Sequence, residues 1–61
     1  MAMGLRRYSV REICESLING NRSFVYEIVE GDTKFMALCV MWFIENDLLD
    51  ELYSFIRLMK Q

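Results

Sequence analysis

Two cysteines, nine carboxylates and no histidine are what this chain of 61 residues offers to chemistry. Cys14 and Cys39 stand alone, without a CxxC pair. Two thiols without imidazole partners fall short of the four ligands that a structural zinc site takes from one chain. The same lack of histidine removes the usual nucleophilic triads, and the three glycines form no phosphate-cradling loop. The one carboxylate cluster is Glu45, Asp47, Asp50 and Glu51, of which the last three share a side on a helix. Opposite an apolar seam, such acids read as a solvated face rather than as a metal or acid/base pair. No catalytic residue, metal or cofactor is therefore expected, and the chain is read as not an enzyme. The two thiols read as free and buried, because no secretory apolar segment opens the sequence.

The remaining chemistry is ionic. Residues 1 to 22 carry four arginines and two glutamates, a net of +2, whereas residues 23 to 61 carry three cations and seven acids, a net of −4. The two ends could attract each other across a dimer, while the overall charge of −2 is not that of a strongly basic nucleic-acid binder. Arg6-Arg7-Tyr8-Ser9 fits the substrate pattern of basophilic serine kinases, but Ser9 reads first as a helix cap.

The elements that must position these groups are helical. Ser9 and Glu12 form a capping-box pattern, with Tyr8 and Ile13 placed for a hydrophobic staple. Val10, Ile13, Cys14, Leu17 and Ile18 then repeat on one helical face, and Asn19-Gly20-Asn21 supplies a stop. A first helix over about 9 to 19 follows. Residues 23 to 30 (SFVYEIVE) fit a short helix, the favoured reading, although their β-branched and aromatic content leaves open a hairpin at about 23 to 40 in an α+β fold.

The C-terminal segment repeats every seven residues: Phe35, Trp42, Leu49 and Ile56 lie in one row, flanked by Leu38, Leu52, Met59 and by Met41, Leu48, Phe55. A continuous helix from 33 to 60 would be about 42 Å long, too long for two short helices to cover. Glu45-Asn46-Asp47 is its weak point, where Asp47 could cap a new helix. The apolar run Phe35 to Ile44 is too short to span a bilayer.

The stretch Ser9-Val-Arg-Glu-Ile-Cys-Glu-Ser-Leu, its Gly/Asn turn, and Ser23-Phe-Val-Tyr-Glu-Ile-Val-Glu-Gly31 resembles the helix-turn-helix of small excisionase-type DNA-binding proteins over 23 residues. That resemblance implies a second helix in the major groove and phosphate contacts from basic side chains. Arg6, Arg7, Arg11 and Arg22 are the candidates. Glu27 and Glu30 on the presumed reading helix oppose phosphate approach.

With 54% apolar residues in so short a chain, some apolar surface is expected to face another protein. The expected architecture is all-α: two short N-terminal helices on one long C-terminal helix, in a single domain over 1–61 whose residues 1–7 are disordered or in part foreign to the natural chain. The expected function is that of a small cytoplasmic interaction module, an adaptor, inhibitor or assembly factor. Its partners would be a second copy, as a homodimer or higher oligomer, and a larger protein, with no membrane span. The expected interface is Phe35, Leu38, Met41, Trp42, Leu49, Leu52, Ile56 and Met59. A helix-turn-helix regulator is the alternative.

Overall fold

The computed structural model describes residues 8–60, and these form four helices without a strand. They are α1 (Val10–Ile18), α2 (Arg22–Val29), α3 (Thr33–Glu45) and α4 (Leu49–Met59). Residues 1–7, for which disorder was expected, lie outside the described part.

Each helix starts and stops for a local reason. The capping box opens α1: Glu12 N–H donates to Ser9 Oγ at 3.1 Å, and Ser9 N–H donates to Glu12 Oε1 at 2.9 Å. Gly20, at φ 90°, closes it in a Schellman turn, with Asn21 N–H reaching Ser16 O and Gly20 N–H reaching Leu17 O. The favoured helical reading of 23–30 holds, and the hairpin alternative does not. Glu30 and Gly31, the latter at φ 81°, make a type II turn in which Asp32 N–H donates to Val29 O at 3.0 Å. Asp32 then caps α3 by accepting from Phe35 N–H at 3.0 Å.

The long C-terminal helix is a correction, because α3 and α4 are separate helices of 13 and 11 residues. The break falls at the weak point, though Asp47 acts differently from the cap expected there. It takes a left-handed conformation, φ 58°, two residues past the end of α3. Asp47 N–H donates to Ile44 O and Leu48 N–H to Phe43 O, a second Schellman turn with aspartate in the place usual for glycine. Leu48 precedes α4, which has no side-chain cap.

Burial explains why the chain turns. In a continuous helix Phe43 and Phe55 would be separated by twelve residues, about 18 Å along the axis. The turn brings their rings to 5.8 Å between centroids, and both become fully buried. The core also takes Ile13, Cys14 and Leu17 from α1, Val25 and Val29 from α2, Phe35 and Cys39 from α3, and Leu52 and Leu58 from α4. Tyr8 packs edge-on against Phe24 at 5.2 Å between ring centroids, holding the start of α1 to α2. The chain thus builds a core of its own, and α3 is packed against all three other helices.

Candidate interaction surface

Helix α3 is apolar nearly all round, so two of its faces compete for a partner and the other helices cover only one. Phe35, Cys39 and Phe43, four residues apart, point into the core. On the opposite side Leu38, Met41 and Ile44 remain 47, 54 and 54% exposed, with Ala37 between them. In α4, Leu49, Tyr53 and Ile56 are likewise exposed at helical spacing, beside the row that buries Leu52. Ile44 and Leu49 stand on either side of the turn.

The predicted interface residues consequently divide. Leu38, Met41, Leu49 and Ile56 are on the surface, and Trp42 and Met59 are half-buried against the core. Phe35 and Leu52 belong to the chain's own core, at 1 and 8% exposure. The seven-residue rows placed them on the surface because they were read through the turn, where the helix axis changes direction. The exposed rows also include Ala37, Ile44 and Tyr53, which the seven-residue rows leave out. The signal for the first two was present in the unbroken apolar run, which leaves no polar side on α3.

Charge marks the ends of the α3 face. Lys34 and Glu45 are exposed on the same side as Leu38 and Met41, and neither forms an ion pair with a described residue. Their order is the reverse of what an isolated helix favours. The cation lies in the first turn, near the positive end of the helix dipole, and the anion in the last turn, near the negative end.

The two thiols form no reactive centre. Cys14 and Cys39 form no disulfide; both are fully buried between α1 and α3, and the Cys14 thiol donates to Cys39 O at 3.8 Å. A hydrogen bond with the Cys39 side chain, then burial, holds the Cys14 ionisation far above the ordinary thiol value. Both features favour the neutral thiol, which is neither a nucleophile nor a metal ligand. Among the described residues no cluster of three or more cysteines and carboxylates could hold a metal ion.

Of the candidate nucleic-acid residues, Arg11 and Arg22 lie within the described part. Arg11 is paired with Glu15 at 3.0 Å within α1, and Arg22 opens α2 at an exposed position. Arg6 and Arg7 lie outside the described residues. Arg22 borders an open depression of about 460 Å³ with Ser23, Tyr26, Glu27 and Leu58. Glu27 puts a carboxylate on the same depression. Tyr26 sits beside Glu30, and a hydrogen bond to that carboxylate pushes its phenol ionisation up.

No protein-family model, curated protein or solved structure matches this chain. Among the described residues no helix is long and apolar enough to cross a membrane.

Proposed function

We propose that this chain is a non-enzymatic protein-interaction module, an adaptor, inhibitor or assembly factor, that works through the apolar face of α3 and its extension on α4, and that it pairs with itself. The observation that carries the reading is the exposed row Leu38, Met41 and Ile44 on a helix already fully packed on its other side. A helix that is apolar all round is normally covered all round. Covering a side chain that is half-exposed contributes about 1 kcal/mol, so six of them outweigh a modest ordering cost. Two buried cysteines that form no disulfide suit a reducing, cytoplasmic setting. Against the helix-turn-helix alternative stand the internal pairing of Arg11, Glu27 within α2 and Glu30 just after it.

Leu38→Asp tests the proposal. Placing a carboxylate on the outer face leaves the core untouched, so the variant should keep its helical circular dichroism while its mass by light scattering falls to that of one chain. A variant that stays as large as the native protein removes the α3 face from consideration.

A further inference from the structure

We infer that the α3 face meets α3 of a second copy in antiparallel register, with Lys34 of each chain opposite Glu45 of the other. The inference rests on the proposed self-association, and adds to it the geometry and the groups that fix it. Three features of the face agree on this occupant.

The first is symmetry. A two-fold axis crossing α3 between Cys39 and Val40 brings position 34 opposite 45 and position 38 opposite 41. Lys34 then faces a carboxylate, and Leu38 faces Met41 of the second copy, in both halves of the contact. One patch is complementary to itself, so the assembly closes at two chains rather than growing.

Electrostatics provides the second. Within one chain Lys34 and Glu45 oppose the dipole of their own helix, and neither is compensated by an ion pair with a described residue. An antiparallel neighbour reverses the sign of both effects. Lys34 comes to the carbonyl end of the second α3, and Glu45 comes to its amide end. A charge arrangement that costs the single chain becomes favourable in the pair.

The third is shape. Ala37 is the smallest side chain on this face and lies close to the axis, so the two backbones can approach there while Ile44 of the other chain covers its methyl group. The contact has a polar rim at both ends and an apolar centre, the usual anatomy of a stable protein interface.

The test is a charge exchange, read by sedimentation of Lys34→Glu, Glu45→Lys and their equimolar mixture. Each reversal alone should weaken self-association roughly tenfold, because two exposed ion pairs become two repulsions. Neither should lower helicity, since each now agrees with its own helix dipole. In the mixture both pairs are rebuilt, one with the native polarity and one reversed, so a mixed dimer should form about as tightly as the native one. If single reversals leave a native-strength dimer, the antiparallel register is wrong; a parallel pairing would give that result, and the self-association reading would stand. A mixture that fails to restore association also overturns the register. A native chain that is monomeric at every concentration removes the register and the self-association together.

Discussion

Helices α1 and α3 share the core and differ in what they show outside. In α1 the apolar residues Ile13, Cys14 and Leu17 point inward, Arg11, Glu12 and Glu15 face solvent, and Ile18 at the helix end is the one large apolar residue left exposed. In α3 the inward row is followed on the other side by a second apolar row. The first pattern is that of a helix whose sequence serves mainly the fold. The second requires another explanation, because an exposed leucine and methionine add nothing to the stability of one chain and invite association. In the proposed reading, folding and association belong to opposite faces of the same helix.

The strongest way to break that comparison is the same substitution on the two sides. Leu52→Asp puts a carboxylate into the core that also holds Phe43, Phe55 and Leu58 and removes a buried leucine, a loss of about 3 to 5 kcal/mol. A domain of this size has little more than that to lose, so the variant should be unfolded by circular dichroism. Leu38→Asp, by contrast, should remain folded and lose only its partner. If both variants unfold, the outer face is part of the fold and the distinction fails.

A milder probe touches only the seam between α1 and α3. The folded chain holds the Cys14 proton more tightly than the unfolded chain does. Its stabilising effect is therefore complete below the ordinary thiol value of 9.0 and is lost progressively as the pH rises beyond it. Between about pH 8 and about pH 10 the urea midpoint of the native protein should fall by the equivalent of about 1 kcal/mol more than that of Cys14→Ala. Equal alkaline slopes in the two proteins would mean that the thiol pair is not sealed in the core.

The sequence made α1 legible almost to the residue, since Ser9, Glu12 and Gly20 act locally and their side chains decide the ends they occupy. The helical reading of 23–30 rested on what followed it, and Gly31 supplied a turn rather than a hairpin. The C-terminal half was harder for a physical reason. Periodicity identifies an inner face by contrast with a polar outer face, and α3 offers almost no contrast. The weak point at Glu45-Asn46-Asp47 was visible, but a turn there was weighed against one straight helix. Only the meeting of Phe43 with Phe55 decides it. Once the chain turns, a row such as Phe35, Trp42, Leu49 and Ile56 no longer lies on one line. That is why the expected interface mixed core residues with surface ones.

The most direct test of the account is sedimentation equilibrium of the native protein from low micromolar to millimolar concentration, with circular dichroism on the same samples. The account predicts a reversible approach to a mass of two chains that stops there, with helicity unchanged throughout. A folded protein that holds the mass of one chain over the whole range would contradict it.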